Sequence, residues 1–277
     1  MLTVLPLHMR RREAMKQMDN KGKIFRSFNS PYVARHFYTV MDTEVHRTDG
    51  SKLRVAYSAQ QVVGDRKLQD FLLQFGSLEL SVAKFFIRQL LRGLCDLHKS
   101  EIALRSINLE QIKLENLAHA KLTCLDFASK CGPSRFSQNY IAVPGFTAPE
   151  ITDFQAGGYR ADQADVFALA IVMYILTCEV PSYLAAGEAS ENNNGYLAFV
   201  NCDRQHFPTD SFEHLFVSMI ALNPSQRISA EEALAHEWLN TDVASKEKVM
   251  AYMTQMEQKL QHVEDYETPA SASMEVE

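Results

Sequence analysis

Residues 102–150 read IALRSINLEQIKLENLAHAKLTCLDFASKCGPSRFSQNYIAVPGFTAPE, and three short motifs stand within this stretch. Within it, the apolar run KLTCL ends at residues 126–128, which read DFA. Residues 104–106 (LRS) precede this tripeptide and residues 148–150 (APE) follow it, each at a separation of about twenty residues. The order and spacing of the three motifs predict more about the molecule than its composition does.

The composition describes a chain that can bury a core and is acidic overall. It has 277 residues, of which 46% are hydrophobic, enough for one or two domains. The net charge of −6 disfavours a nucleic-acid binder held by phosphate contacts. Five cysteines (95, 124, 131, 178 and 202) form no CxxC, which is typical of free thiols in a reducing compartment. No apolar run reaches membrane-spanning length and no signal peptide is recognisable, so we expect a cytoplasmic protein that binds neither nucleic acid nor membrane.

Hydrophobic periodicity predicts a mixed chain with a helix-rich C-terminal part. A helix over residues 13–29 is stopped by Pro31, and strands over 32–41 and 52–63 are joined by the turn HRTDG. Further helices are predicted over residues 68–75, 81–98, 161–178, 212–222, 230–239 and 245–263. Ser77 is the predicted N-terminal cap of the helix over 81–98, and residues 192–195 (NNNG) are a predicted loop.

The last predicted helix is amphipathic and rich in methionine. It places Val249, Met253, Met256, Leu260 and Val263 at alternating steps of four and three residues. Two roles are open for this face: docking on its own domain, or serving as a calmodulin-type target. The mixed charge of the helix disfavours the second. Residues 265–277 are acidic and small, and are predicted to be disordered.

The three motifs of residues 102–150 resemble the H-R-D-L-x-x-x-N, D-F-G and A-P-E motifs of the eukaryotic protein kinases. Two later segments agree in order and spacing: ADVFALA with Asp165 resembles the central αF helix, and NPSQRIS with Arg227 resembles the late arginine of the family. Residues 60–64 resemble the hinge that holds adenine. The resemblance implies an α+β, protein kinase-like fold with a mostly helical C-lobe and a reduced N-lobe, made of the αC helix plus a short β-hairpin.

The resemblance also implies domain boundaries. Residues 1–65 are then a truncated remnant of the kinase N-lobe, 66–240 the C-lobe, 241–264 an amphipathic C-terminal helix and 265–277 a disordered tail. The family places a glycine-rich loop and a strand lysine ahead of αC, whereas about a dozen residues precede it here and no G-x-G-x-x-G occurs. An alternative is that Met1 is a mis-assigned start, with an N-lobe encoded upstream.

The positions that the family uses for structure are kept. Phe25, Leu104 and Phe127 fall where the family stacks apolar side chains between the lobes. Asp165 matches the aspartate that supports the backbone of the catalytic loop (residues 104–111). The resemblance also pairs Glu150, at the end of the activation segment (residues 126–150), with Arg227, and we expect a buried or half-buried ion pair.

Most positions that the family uses for chemistry are changed. The changed residues are Ser106 for the catalytic aspartate, Asn108 for the phosphate-binding lysine, Gln111 for the metal-binding asparagine, Ala128 for the D-F-G glycine, Val143 for a threonine, and Lys21 near the αC glutamate. Asp126 is retained and is a weak candidate for holding metal and nucleotide. Arg105 is retained to contact the activation segment, where Ser129, Ser134 and Ser137 are candidate phosphorylation sites.

Phosphoryl transfer depends on positioned charges, so loss of several of them at once predicts loss of activity. We therefore expect a pseudokinase, a catalytically inactive kinase-like domain with no intact catalytic residue and no cofactor, acting as a scaffold or allosteric regulator. Its expected partner is another protein, an active kinase among the candidates. The alternative is an atypical Ser/Thr protein kinase that transfers phosphate from ATP to protein with Mg²⁺.

Overall fold

The structure, a computed structural model, describes residues 2–6, 12–152, 157–178 and 207–267. The smaller lobe is a three-stranded antiparallel sheet with strand order β1-β3-β2, and one helix packs against it. Its elements are β1 (Leu2–Pro6), α1 (Arg12–Phe25), β2 (His36–His46) and β3 (Lys52–Gln60). The predicted hairpin is present, and β1 adds one strand to it because Leu2 pairs with Ala59 and Pro6 with Val55.

The first strand of the hairpin begins later than the sequence predicts. Tyr32 to Arg35 are aromatic and apolar in part, but they pair with the larger lobe instead of joining the sheet. Ala34 N donates to Leu122 O at 2.8 Å, and Leu122 N donates to Tyr32 O at 2.9 Å. Val33, 1% exposed, is bridged to Leu122. The predicted strand over 32–41 is therefore wrong at its start, and this segment ties the two lobes together.

The larger lobe consists mainly of helices. Its helices are α2 (Leu68–Phe75), α3 (Leu80–Lys99), α4 (Pro149–Thr152), α5 (Ala161–Thr177), α6 (Asp210–Met219), α7 (Ala230–Ala235) and α8 (Lys246–Glu267), with 3-10 turns at Leu109–Gln111 and Glu237–Asn240. Its strands are β4 (Ile102–Ala103), β5 (Ile112–Asn116), β6 (His119–Leu122), β7 (Ser129–Lys130), β8 (Phe136–Ser137) and β9 (Tyr159–Arg160). They form the two-stranded sheets β4-β7, β5-β6 and β8-β9.

Helices α3 and α5 make the centre of this lobe. The apolar stripe of α3 faces inward, and α5 is buried on all sides from Ala161 to Leu176. A helix apolar all round is expected at the centre of a large domain. Among the described residues, no helix is both long and apolar enough to cross a membrane.

Several predicted helix ends move by a few residues. The N-cap of α3 is Glu79 instead of Ser77, since Leu78 is buried and its N–H donates to Leu176 O at 3.0 Å. The predicted helix over 230–239 divides after Ala235, because His236 takes an extended conformation that caps the following 3-10 turn. The predicted loop at 192–195 lies outside the described residues.

The methionine-rich face of α8 docks on its own domain. Val249 and Met253 are fully buried, and Met256 and Leu260 are nearly so. Arg66 Nε donates to Glu257 Oε1 at 2.9 Å and so ties the helix to the lobe. The structure supports the first of the two roles left open by the sequence. Helix α8 continues through residues 265–267, which were expected to be disordered, and residues 268–277 lie outside the described part.

Candidate functional site

An ion pair joins the two lobes at the turn after β6. Lys21 lies on the inward face of α1 with Met18 and Phe25, and its side chain is 4% exposed. Its Nζ donates to Asp126 Oδ1 at 2.5 Å, whereas the Asp126 side chain is 68% exposed. The residue before Lys21, Asn20, donates through its Nδ2 to Ala128 O at 3.3 Å. Helix α1 therefore contacts the 126–128 turn through two side chains, and the ion pair joins the buried Lys21 ammonium to the solvated Asp126 carboxylate.

The same turn directs its side chains differently from the prediction. Leu125 and Ala128 are buried and Leu104 and Phe25 lie in the same core, but Phe127 is 38% exposed. Phe127 is thus not part of the buried interlobe stack, because the tight turn, with Ala128 N bonded to Leu125 O, points the small Ala128 inward and Phe127 outward. Phe127 and Asp126 instead line an open cavity of about 640 Å³ that α1 and the activation segment enclose.

The loop over residues 104–111 is fixed by a buried carboxylate from α5. Asp165 is 1% exposed and accepts Leu104 N and Arg105 N, each at 2.7 Å. Arg105 has φ +64°, a left-handed conformation that is unfavourable for a side chain with Cβ. Two charge-assisted bonds to the backbone stabilise this conformation. The predicted support of the loop by Asp165 is confirmed.

The Arg105 side chain reaches the activation segment, as predicted. Its Nε and Nη2 donate to Phe127 O at 2.9 and 2.6 Å, and its Nη1 donates to Ser137 Oγ at 2.9 Å. A longer bond of 3.5 Å joins Nη1 to Asn139 O. These acceptors are all neutral. Ser137 is buried and its hydroxyl is bonded, which sets it apart from the exposed Ser134 among the candidate phosphorylation sites.

The polar side chains of the loop are buried or bonded within the protein. Ser106 Oγ is buried and has no hydrogen-bond partner among the described residues. Asn108 caps the 3-10 turn by accepting Gln111 N at 3.2 Å, and its Nδ2 donates to Ser106 O at 3.1 Å. Gln111 Oε1 accepts the Thr123 hydroxyl at 3.1 Å. In this arrangement none of the three side chains presents a charge or a strong base to solvent.

Val143 packs beside this loop as an apolar residue. It contacts the hydrophobic core in part, and its N–H and C=O are both bonded to Thr147 Oγ1 at 2.8 Å. Together with Ile107 and Phe146 it lines a void of only about 10 Å³. Apolar contacts therefore hold the activation segment against the loop, and residue 143 provides no side-chain hydroxyl there.

The predicted ion pair at the base of the lobe forms. Arg227 is bidentate to Glu150, with Nη1–Oε1 at 2.7 Å and Nη2–Oε2 at 3.0 Å. The arginine side chain is fully buried and the Glu150 side chain is 13% exposed. The guanidinium also donates to Gln163 O and Ala221 O and lies 5.3 Å above the ring of Phe167. The pair joins the end of the activation segment to α5 and to the segment after α6.

His36 is a buried titratable group whose pKa is influenced by both members of the interlobe pair. It is 4% exposed, and burial lowers its pKa, with a further lowering from the charge of Lys21. The carboxylate of Asp126 acts in the opposite direction. His36 Nε2 is hydrogen-bonded to Thr39 Oγ1 at 3.1 Å. The imidazole is therefore favoured in its neutral form beside the Lys21 ammonium.

The family model described as protein kinase domain matches residues 5–239. The chain belongs to the protein kinase family. The matched range covers both lobes and stops before α8, so the kinase fold accounts for the sheet, the interlobe turn and the Glu150–Arg227 pair. Helix α8 is an addition to the matched kinase domain.

Curated kinases and kinase-like proteins match the chain at low identity. The serine/threonine-protein kinase SIK3 homolog of Danio rerio is 22% identical over 82% of this chain and 18% of its own length. The serine/threonine-protein kinase cds1 of Schizosaccharomyces pombe is 29% identical over 63% of this chain and 39% of its own. The CaM kinase-like vesicle-associated protein of Takifugu rubripes is 25% identical over 66% and 45%. The chain thus spans less than half the length of each of these relatives.

One feature of the kinase cleft was missed from the sequence. Lys21 was placed near the αC glutamate position, but its pairing with Asp126 was not anticipated. A signal was available: Met18, Lys21 and Phe25 are spaced by three and four residues, so the lysine lies on the apolar face of α1 and has to find a buried or interlobe partner. Gly64, at the end of the segment that resembles the hinge, lies so close to β5 that a Cβ there would be 2.2 Å from Leu114 O.

Proposed function

We propose that this kinase-family chain is catalytically inactive and acts by binding another protein, as a scaffold or an allosteric regulator of an active kinase. The observation that carries the proposal is the bond from Lys21 to Asp126. Asp126 is the carboxylate that would hold Mg²⁺ in a kinase cleft, and here the chain supplies its own cation.

Magnesium and ATP fit the described residues poorly. A Mg²⁺ ion on Asp126 would lie beside the Lys21 ammonium, and two cations on one carboxylate repel each other. The second expected ligand position is Gln111, whose side-chain oxygen is already bonded to Thr123. One carboxylate alone seldom holds Mg²⁺ without further oxygen ligands.

The loop also lacks the general base and the phosphate-binding lysine that phosphoryl transfer uses. Ser106 has a buried, uncharged hydroxyl where the family places the aspartate that orients the attacking group. Asn108 is bonded within its own loop where the family places a lysine. Since positioned charge supplies most of phosphoryl-transfer catalysis, these side chains favour a binding role.

A second candidate is an atypical Ser/Thr protein kinase. It is favoured by the relatives, two of which are named serine/threonine-protein kinases, and by the retention of Asp126, Asp165 and the Glu150–Arg227 pair. Under this reading Asp126 would hold Mg²⁺, and Lys21 would have to leave it when nucleotide binds.

The two candidates are separated by a labelled-ATP transfer assay on a generic protein substrate, comparing wild type with Ser106→Asp and Asp126→Ala. We expect only background transfer from all three, because a general base is worth about 10²–10⁴ in rate and cannot act on nucleotide that is not held. Wild-type transfer that Asp126→Ala abolishes would establish the second candidate.

A further inference from the structure

A cationic cavity of about 620 Å³ lies between α3, the β5-β6 hairpin and the start of α8. The side chains that define it are Arg88, Arg92, His119 and Lys246, with the aromatic rings of Tyr32 and Phe85. None of the described residues that line it is Asp or Glu, although the whole chain carries 34 acidic and 28 basic residues. Positive charge is therefore concentrated here against the overall balance of the protein.

The two arginines of this cavity are held by neutral groups only. Arg88 Nη1 donates to Leu239 O at 2.7 Å and to Asn240 Oδ1. Arg92 Nη1 donates to the Tyr32 hydroxyl at 3.4 Å, and its guanidinium lies 6.0 Å from the centre of that ring. Within the described part of the chain, neither arginine forms an ion pair. A guanidinium has five N–H donors, and the bonds found here leave Nε and Nη2 of both residues available.

The positive charges of Arg88 and Arg92 are not compensated by a carboxylate among the described residues. Arg88 and Arg92 are four residues apart on α3 and so project from the same face of the helix, where like charges destabilise each other. Burial and the neighbouring charge of Arg92 both lower the pKa of Arg88. Asp96, one turn further along, accepts the Ser30 hydroxyl at 2.6 Å instead of compensating Arg92. An anion seated between the two arginines would remove this repulsion.

Two other cavities of the molecule differ in this respect. The cavity beside Asp126 combines Lys16 and Lys23 with Glu13 and Asp19. A smaller one of about 320 Å³ combines Lys99, Arg135 and Arg160 with Asp162 and Glu231, and each of these basic side chains pairs with one of the two carboxylates. Both cavities therefore contain carboxylates beside their basic side chains, whereas the cationic cavity has none among its described residues.

We propose that the cationic cavity binds a phosphorylated segment of a partner protein. A phosphate carries close to two negative charges and three acceptor oxygens, which matches two adjacent guanidiniums better than a single carboxylate does. Phe85, which is half-buried, provides apolar surface for the residues that flank the phosphate, and the open mouth of the cavity admits a peptide. The site is separate from the interlobe cleft, so it does not depend on whether the chain transfers phosphate.

The test is fluorescence anisotropy with the full chain and fluorescein-labelled peptide pools of degenerate flanking sequence. Three pools carry a fixed phosphoserine, phosphothreonine or phosphotyrosine, and matched pools carry the unmodified residue or aspartate. The variants are Arg92→Glu, the milder Arg92→Gln, and Lys259→Glu as a matched charge reversal on the exposed face of α8. Melting curves verify that each variant is folded, and Arg92→Gln keeps the test valid if the charge reversal does not fold.

We expect at least one phosphorylated pool to bind, with affinity reduced about tenfold or more by Arg92→Gln and unchanged by Lys259→Glu, since bonds to charged groups are among the stronger ones. Inorganic phosphate in excess should compete. Absence of binding in all three phosphorylated pools, equal binding of the aspartate pool, or equal weakening by Lys259→Glu would each overturn the proposal.

Discussion

Replacing Arg227 by alanine is expected to destabilise the protein severely. The substitution removes five hydrogen bonds from a fully buried side chain: two to Glu150, one to Gln163 O and two to Ala221 O. Glu150, only 13% exposed, is left as a charge without its partner, and the two carbonyls lose their donor. The contact of the guanidinium with the Phe167 ring is lost as well.

The magnitude follows from the burial. Breaking a buried pair from one side costs about 3–5 kcal/mol, most of it from the carboxylate that remains unpaired. For a domain of this size that corresponds to a melting temperature lowered by roughly 6–20 °C. Differential scanning fluorimetry and urea unfolding of wild type and Arg227→Ala measure it, and Glu150→Ala should lower the free energy of unfolding by a comparable amount.

A matched control is available on the sheet. Arg54 also pairs with a carboxylate, Asp42, but both side chains are largely exposed. Because exposed pairs contribute little, Arg54→Ala should melt close to wild type. A melting temperature unchanged by Arg227→Ala, or equal losses for Arg227→Ala and Arg54→Ala, would refute the argument from burial.

Three further predictions concern the interlobe cleft and the buried thiols. Asp126→Ala should lower the free energy of unfolding by about 1–3 kcal/mol, because it leaves the buried Lys21 ammonium without its acceptor. Lys21→Met should lower the free energy of unfolding by less, since Asp126 stays in water. Urea unfolding of the two variants and wild type measures the difference. The pKa of His36 is lowered in the folded state, so the unfolded chain binds a proton first as the pH falls. The free energy of unfolding should therefore decrease as the pH drops through about 6.5, and it should decrease less in His36→Gln. Melting curves recorded at several pH values test this. Burial raises the pKa of Cys95 to about 11 and that of Cys124 further, so both thiols should resist iodoacetamide at neutral pH until the protein is unfolded, as peptide mass mapping would detect.

The parts of the fold that the sequence predicts well are those with regular spacing. The helix over 68–75 was located to the residue, and α3 and α5 were located to within a residue or two, because each has an uninterrupted apolar pattern. The pairing of Glu150 with Arg227 followed from motif order, although the residues are far apart in the chain. In each case one local pattern or one resemblance is sufficient.

The parts that the sequence predicts poorly depend on contacts between the lobes. Residues 32–35 have strand composition, yet their hydrogen bonds go to Leu122 of the other lobe. Phe127 turns outward because Ala128 takes the buried position in the turn. The bond between Lys21 and Asp126 joins residues far apart in sequence, and neither residue alone indicates the other. Tertiary packing decides all three.

We propose that Lys21 takes the place of a metal at Asp126 and makes the cleft unreceptive to Mg²⁺ and ATP. Thermal shift with rising Mg²⁺ and ATP tests it most directly, because a ligand that binds only the folded state raises its melting temperature with concentration. We expect no concentration-dependent shift in the melting temperature of wild type or of Asp126→Asn. A saturable rise in the wild-type melting temperature that requires Mg²⁺ and disappears in Asp126→Asn would contradict it.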